Sequence, residues 1–553
     1  MKTNIFKSII LGVAFVGLTA CVQSLDVTPI DPNTSTKADT AALFNKCYAT
    51  LGLTGQQGPA GNGDVAGVDE GFSSLFRMVL NLNEFTSDGC WWIWYNDPGV
   101  NQLYNLSWTP DNDMVEALYY RLYINIRIYN LFIDSYQDVE NWKQQVAEVR
   151  WLRALNYYYL LDMFQDVPFS IELSNDLPKQ IARKDLYAWL CGELNELKTL
   201  LPATKANEYR VDKTAADFLL MRTFLNAEVY TGTAQWDSAA YYAQQVMDAY
   251  ELSPNYAEMF MGDNSAYRGN ASATKEFVLN IFQGTEAQSY GGSSLLVAAP
   301  RAEGFREWGT TDKWTCVRTK PTLVCGTDGW FTQEQALGIA QAAIAAGYYF
   351  ADETVMPILA GDDRCMLCQA CARDTAKPNV ATWVGDLSGA IDLVALKQVE
   401  KTPADDNMKH GWGICKWTGV YSTGATRGSD NTFPDTNIPL LRASEAWLTY
   451  AEAKYRLGDK GAAATKINDL RNRAHAANVS AADIDDDFML AEWQKEFYWE
   501  GRRRTDLVRF GRFTSGDYLW EGKYEEKDAR FNVFPIPSSD LQTNPNIKQY
   551  LGY

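Results

Sequence analysis

Histidine is nearly absent from the sequence: only His410 and His475 occur in 553 residues. A metal site with three histidine ligands is therefore excluded, and a Ser-His-Asp triad would have to use one of these two. Neither lies in a recognisable nucleophile or zinc-binding motif. A glycoside hydrolase needs only two carboxylates, and the 69 acidic residues leave that class open.

Positive charge is also in short supply. Lysine and arginine number 50 against 69 aspartate and glutamate residues, which gives a formal net charge of −19 at pH 7. Such a chain repels nucleic acid and anionic lipid, so neither is an expected partner. No cofactor is expected either.

Hydrophobic runs of roughly 20 residues, long enough to span a bilayer, are missing throughout. The apolar run at residues 9–16 follows two lysines, a pattern typical of a secretory signal peptide. It ends in Leu-Thr-Ala-Cys, which resembles the lipobox of bacterial lipoproteins, where the cysteine is acylated. An ordinary signal with a chance cysteine is the alternative. We expect residues 1–20 to be a lipoprotein signal peptide and Cys21 to be the lipid anchor.

Cysteine is sparse, and the ten residues include Cys21, which leaves an odd number for the mature fold. A complete set of disulfides within one chain is therefore excluded. Cys365, Cys368 and Cys371 have the spacing of a metal or iron–sulfur site. The fourth cysteine of a bacterial ferredoxin run is missing, because Thr375 stands in its place. We expect a local disulfide or buried thiols here, and no metal.

The alternating run Asp483, Asp485 and Asp487 is a second pattern that looks like a metal site. It resembles the start of a calcium loop, but Phe488 stands where that loop requires glycine and no glutamate follows at the twelfth position. We expect a solvated acidic turn before a helix.

Hydrophobic periodicity predicts helices in two blocks, residues 21–252 and 434–553. The segment DMVEALYYRLYINIRIYNLFID repeats apolar residues on one helical face, and VAEVRWLRALNYYYLLDMF does the same. A later pair of helices is broken at Gly232 and resembles the helix–turn–helix unit of tetratricopeptide repeats. Between the blocks, residues 253–433 are rich in Gly, Asn, Ser and Thr, with short β-rich pieces such as EFVLNIFQ. The predicted fold is mainly α: a tetratricopeptide-like helical-repeat lobe packed against an irregular, loop-rich lobe with short strands.

The C-terminal block resembles the SusD/RagB family of outer-membrane nutrient-uptake lipoproteins of the Bacteroidetes. The resemblance is carried by LLRASEAWLTYAEA, INDLRNRA, EFYWEGRRRTDLVRFG and VFPIPSSDLQTNPNIKQYLGY, in that order. It extends to EVRWLRALNYYYLLDMFQDVPF and to GDDR at 361–364, and it is weakest between about 300 and 360. The resemblance implies a SusD-like fold in the cell outer membrane, lipid-anchored and facing the exterior. It also implies a partner, a SusC-like TonB-dependent transporter.

Charged residues of the C-terminal motifs are expected to be structural. Glu496 and Glu500 stand one helical turn apart, and Arg503 and Arg504 follow, so ion pairs along and between helices are available. Such pairs usually hold helices in register.

Aromatic residues are abundant, with 18 Trp and 30 Tyr. The stretch SDGCWWIWYNDPG concentrates flat rings beside polar side chains, and sugars present apolar faces between polar rims. Alternate residues of an extended segment point opposite ways, so one or two of the tryptophans would face ligand and the others the core. The candidate glycan-binding residues from this stretch are Asp88, Trp91, Trp92, Trp94, Asn96 and Asp97. The family resemblance adds weaker candidates from the middle segment: Tyr290, Trp308, Trp314 and Trp330.

The resemblance implies a surface glycan-binding lipoprotein that captures oligosaccharides or polysaccharides and delivers them to the transporter without catalysis. Two alternatives stay open. One is a protein-binding scaffold that uses the tetratricopeptide-like helices, and the other is a glycoside hydrolase.

We expect Cys21→Ala to release the protein from the membrane fraction or to leave its signal uncleaved, because the acylated thiol would be the anchor. Fractionation of cells that express each form, followed by immunoblotting, measures this. Unchanged membrane partitioning would contradict the lipid anchor.

Overall fold

The computed structural model describes residues 39–55, 58–59, 61, 63–68, 71–92, 94–285, 287–300, 308–314, 316–346, 354–369, 412–427 and 432–553. The predicted signal peptide, Cys21 and Cys371 lie outside these residues. The chain divides into two units, residues 1–46 and 47–553. Apart from the start of the first helix, every feature described below belongs to the second unit.

Helices dominate the described residues, as the sequence predicts. In chain order they are α1 Thr40–Ala49, α2 Leu75–Glu84, α3 Val100–Tyr104, α4 Asp113–Tyr136, α5 Lys143–Met163, α6 Arg183–Leu200, α7 Lys213–Leu225, α8 Ala227–Thr231, α9 Trp236–Ala249, α10 Ser293–Ala298, α11 Pro321–Cys325, α12 Gln333–Ala346, α13 Met356–Ala360, α14 Ser444–Arg456, α15 Lys460–Arg473, α16 Asp486–Phe497, α17 Arg503–Arg509 and α18 Ser538–Thr543.

Local chemistry explains where the long helices begin and end. The side chain of Asn112 accepts hydrogen bonds from two backbone N–H groups of the first turn of α4. Helix α6 stops two residues before Pro202. The predicted break at Gly232 is confirmed, since this residue ends α8 with a φ of 75°, which glycine adopts without strain. Asp485 caps α16, so the acidic run lies at the start of a helix; Asp483 precedes the cap, as expected, but Asp487 belongs to the first turn of α16.

Neighbouring helices pack in the order α4, α5, α6, α7, α9, α14 and α15. Helix α9 ends the N-terminal helical block, and α14 opens the C-terminal one. The two blocks therefore continue one stack, in which each helix buries apolar residues against the next. The predicted division at residues 252 and 433 stays a prediction. No helix among the described residues is both long enough and apolar enough to cross a membrane.

Among the described residues, eight short strands pair in three antiparallel sheets. They are β1 Cys90–Trp92, β2 Val167–Phe169, β3 Lys179–Ile181, β4 Phe277–Ile281, β5 Val317–Thr319, β6 Leu367–Gln369, β7 Trp412–Ile414 and β8 Ile438–Arg442. Strands β1, β5, β7 and β6 form the four-stranded sheet in that order, and the pairs β2–β3 and β4–β8 form the other two. Three residues of the tryptophan-rich stretch, Cys90–Trp92, therefore form a strand. A strand needs a second strand to pair with, and β5 provides it: Trp92 pairs with Val317.

A cluster of buried charges joins the middle of the chain to its C-terminal helices. Glu496 on α16 accepts hydrogen bonds from Arg442 at 3.0 Å and from Arg473 at 2.7 Å. Arg364 adds a bond to Glu492 at 2.8 Å. Five cations meet five carboxylates in this cluster: Arg364, Lys416, Arg442, Arg471 and Arg473 against Glu276, Asp362, Glu492, Glu496 and Glu500.

The pKa values in this cluster reflect the opposing effects of burial and charge. Burial raises the pKa of Glu496, but the guanidinium groups of Arg473 and Arg442 outweigh it and hold the pKa well below its usual range. Burial also lowers the pKa of Lys416 to about 8, with Glu500 opposing the shift. Glu496 and Glu500 form ion pairs, as predicted, but not with the arginines that follow them in the sequence. Arg503 pairs with Asp88 and Arg504 with Asp162.

Two cysteines of the C-x-x-C-x-x-C triplet are buried thiols. Cys365 and Cys368 flank the start of β6 and are not joined in a disulfide. Burial raises the pKa of Cys365 well above its usual value, so it is a thiol at neutral pH. Of the two alternatives that the sequence leaves, these residues adopt the buried thiol.

We expect Glu496→Gln to lower the free energy of unfolding by about 3–5 kcal/mol, because it leaves buried guanidinium groups without a counter-charge. Urea denaturation followed by circular dichroism measures the loss. The matched control is Glu140→Gln, which removes an exposed pair with Lys143 and should change the stability little. Equal stability of the two variants would contradict a role for the cluster in folding.

Candidate functional site

An open groove of about 500 Å³ lies between the start of α4, the segment before α2 and the tryptophan-rich stretch. The residues that line it are Gly67, Val68, Gly71, Phe72, Arg77, Trp92, Trp94, Asp97, Pro98, Asp113, Glu116, Tyr290 and Trp314. Five of the ten predicted glycan-binding residues are among them.

Five large aromatic side chains line the groove: Phe72, Trp92, Trp94, Tyr290 and Trp314. Trp92 and Trp94 meet edge to face with ring centroids 5.5 Å apart and planes at 88°. Tyr290 and Trp314 meet with centroids 6.2 Å apart and planes at 43°. Trp94, Tyr290 and Trp314 are half-buried, so part of each ring remains open to a ligand.

Strand pairing and one close backbone approach bring these aromatics together. Because Trp92 pairs with Val317 across β1 and β5, it lies near Trp314, three residues before Val317. Ser74 donates a hydrogen bond to the carbonyl of Gly291 at 2.9 Å, which places Tyr290 beside the segment that precedes α2. A side chain at position 291 would collide, since a Cβ atom there would lie 2.4 Å from the Ser74 hydroxyl oxygen.

Trp92 is fixed in place by its neighbours. Its indole nitrogen donates a hydrogen bond to Asp97 at 2.8 Å, and only 3% of its surface is exposed. Phe85 packs against it at 5.4 Å, and the guanidinium of Arg77 lies 5.7 Å from its ring centroid. The Trp92 ring is therefore held in place before any ligand arrives.

Polar groups surround the aromatic surface. Asp113 and Glu116 belong to the first turn of α4, where their negative charges interact favourably with the helix dipole. Burial raises the pKa of Glu116, and Ser539 donates a hydrogen bond to its carboxylate at 3.1 Å. Arg77 and Asp97 add a donor and an acceptor. Flat apolar rings beside hydrogen-bonding groups match the faces and hydroxyls of a sugar.

Asp88 does not line the groove. It is fully buried and accepts two hydrogen bonds from Arg503, at 2.6 and 2.8 Å, and one from Tyr518 at 2.6 Å. Burial raises the pKa of Asp88, but Arg503 outweighs it and holds the pKa below its usual range. The predicted contact with ligand is replaced by a buried ion pair, which fixes the chain just before β1.

Trp308 and Trp330 also lie away from the groove. Trp308 is buried and donates a hydrogen bond to the carbonyl of Trp417 at 2.8 Å. Trp330 donates to Asp362 at 3.3 Å and packs edge to face on Tyr498. Both serve core packing in the middle segment.

Two further candidates remain. Asn96 is exposed on the turn after Trp94 and is not among the residues that line the groove. The backbone of Trp91 pairs with Arg318, but its side chain lies outside the described part of the structure.

Sequence reasoning missed four groove residues that carry recognition groups: Phe72, Arg77, Asp113 and Glu116. Asp113 and Glu116 lie in the first turn of a helix that the sequence predicts well, so their position in that turn can be predicted from the sequence. Nothing in the sequence indicates that this turn faces the tryptophans. Phe72 and Arg77 reach the groove through a contact of Ser74 with a residue 217 positions away.

No group of three or more His, Cys, Asp or Glu side chains in the described residues could hold a metal ion.

Sequence comparison assigns the chain to a family. The profile described as "SusD family" matches residues 397–553, and the profile described as "Starch-binding associating with outer membrane" matches residues 76–225. The chain is also 37% identical over 586 aligned positions to the starch-binding protein SusD of Bacteroides thetaiotaomicron, and the match covers 100% of both proteins. The chain belongs to the SusD family, and the predicted resemblance is confirmed.

Solved structures share the fold at low sequence identity. The surface glycan-binding protein A of Bacteroides thetaiotaomicron, in complex with laminarihexaose, superposes with a TM-score of 0.62 at 16% identity, over 93% of this chain and 99% of that one. A laminarin-binding SusD-like protein gives a TM-score of 0.61 at 19% identity, over 94% of this chain and 100% of that one. The predicted SusD-like fold is confirmed.

We expect Trp92→Ala to lower the free energy of unfolding by about 3–5 kcal/mol, the usual cost of truncating a large core aromatic. Trp94→Ala should cost far less, because this side chain is half-exposed. Chemical denaturation of both variants measures the difference. Equal losses would show that the two rings are equally part of the core.

Proposed function

We propose that this protein binds a neutral glycan in the groove formed by Trp92, Trp94, Tyr290 and Trp314. The single observation that carries the proposal is the convergence of these four aromatics on one open groove of about 500 Å³. Half-exposed indole and phenol rings stack on sugar faces, while Arg77, Asp97, Asp113 and Glu116 are in place to bond hydroxyl groups.

Starch is the glycan we propose first. The support is a match over the whole of both chains to a starch-binding relative at 37% identity. Laminarin is the second candidate, because one structural neighbour, at 19% identity, is a laminarin-binding protein and another, at 16% identity, is in complex with laminarihexaose. Those neighbours share the fold, so their ligand is a weaker guide.

The family also supports a cellular role. We propose that Cys21 anchors the protein to the outer membrane, facing the exterior, and that a SusC-like TonB-dependent transporter receives the captured glycan. The description of the matching family as associating with the outer membrane supports the location. The acidic surface, with a net charge of −19, does not oppose capture of a neutral polymer.

We expect the purified protein to be retarded in affinity gels that contain starch, and to bind maltoheptaose in calorimetry. Trp94→Ala and Trp314→Ala should each weaken binding by roughly 1–3 kcal/mol, by analogy with burial of an apolar side chain. That loss is about fivefold to a hundredfold in affinity. Both residues are half-exposed, so the melting temperature should change little.

Three measurements set the limits of this proposal. Trp330→Ala is the matched control, because this half-buried tryptophan lies outside the groove and should leave affinity unchanged. If laminarin retarded the protein and starch did not, the proposed ligand would change from starch to laminarin, and the proposed binding site in the groove would stand. Steady release of reducing ends that disappears in Glu116→Gln would favour the glycoside hydrolase.

A further inference from the structure

A second cleft has a volume of about 450 Å³. It is lined by residues from the start of α11 and the loop after it, from α16, from α17 and from the loop at 516–519. These residues are Thr322, Gly326, Thr327, Asp487, Leu490, Ala491, Gln494, Arg503, Gly516, Asp517, Tyr518 and Leu519. Its volume is close to that of the groove.

The charges in this cleft are almost balanced. Arg503 is paired with Asp88, and Asp487 accepts a hydrogen bond from Arg512 at 3.0 Å. These two ion pairs cancel, and the carboxylate of Asp517 is the charge left at the mouth, so the electrostatics disfavour an anionic ligand.

The remaining lining combines polar and apolar groups. Gln494 is 6% exposed, and its amide nitrogen has no hydrogen-bond partner among the described residues. Thr327 and Asp517 are exposed at the mouth and supply a hydroxyl and a carboxylate. Leu490 and Leu519 supply apolar surface. A buried donor without a partner is costly, and an acceptor on a bound molecule would relieve it.

The second cleft and the groove are joined through Asp88. Three cleft residues bond it: Arg503 and Tyr518 to its carboxylate, and Thr322 to its carbonyl at 2.7 Å. Trp92 follows four residues later, and four extended residues span at most about 14 Å. The two clefts therefore belong to the same region of the molecule.

We propose that this cleft is a second saccharide site, which takes a short stretch of the same kind of neutral glycan as the groove. The proposal rests on the proposed function, since it extends that function to a second contact. The cleft has Tyr518 but no tryptophan on its walls, so it binds more weakly than the groove. Two contacts on one polymer raise the overall affinity without any new contact in the groove.

The test isolates the cleft from the groove. The variant Trp94→Ala with Trp314→Ala removes groove stacking, and Thr327→Trp then fills the mouth of the cleft. Thr199→Trp, at an exposed threonine on α6, is the matched control. The probes are maltose, laminaribiose and cellobiose, each followed by saturation-transfer NMR.

We expect residual contact with at least one disaccharide in the groove variant, loss of that contact with Thr327→Trp, and its persistence with Thr199→Trp. Gln494→Met, which keeps the side-chain length and removes the donor, should weaken the same signal. Absence of residual contact, or contact that survives Thr327→Trp, would overturn the second site.

A long polymer provides an independent measurement. Thr327→Trp alone should weaken binding to amylose about twofold to tenfold, since it removes one of two linked contacts, and should leave maltoheptaose binding in the groove unchanged. Equal amylose affinity with and without this substitution would also overturn the second site. If the groove does not bind glycan, Trp94→Ala will leave the affinity for maltoheptaose unchanged. That result is distinct from failure of the second site.

Discussion

Buried arginines set the constraint on which the rest of the structure depends. A guanidinium group keeps its charge in proteins, so each one taken out of water must meet a carboxylate or leave a large free-energy penalty. Arg442 and Arg473 meet this demand through Glu496, and Arg503 meets it through Asp88. These partners come from segments far apart in the chain, so the pairs bring those segments together.

The groove inherits its rigidity from the same kind of contact. The Arg503–Asp88 pair holds the chain just before β1, and the bond from Trp92 to Asp97 holds the ring that β1 presents. A ligand that stacks here does not have to order the site, so less of the contact energy is spent on immobilising side chains. The Trp94 ring remains open to a ligand, whereas the Trp92 ring is buried and supports the site. Binding and support are therefore assigned to two rings within three residues.

The sequence alone predicts the helices well and the strands and contacts poorly. Periodic apolar residues determine α4 and α5, and glycine at 232 marks a break that needs no tertiary information. Asp88 shows the limit of prediction from the sequence. Its position beside the tryptophans suggests a polar contact with ligand, but its partner Arg503 lies 415 residues away. Trp308 reads as a loop aromatic and is buried for the same reason, because burial depends on chain segments that no local pattern reveals. Five of the ten predicted glycan-binding residues line the groove: Trp92, Trp94 and Asp97 come from one short stretch, Trp314 precedes the paired strand β5, and Tyr290 comes from another segment.

Open aromatic grooves favour contacts that form and break readily. Trp94, Tyr290 and Trp314 remain half-exposed, so each can contribute only part of the free energy of burying a full ring. A protein that must release its ligand benefits from several such partial contacts more than from one enclosed pocket, because dissociation can proceed one contact at a time. A polymer gains affinity from its length under these conditions, while a short fragment leaves easily. The geometry thus favours retention of long chains and release of short ones.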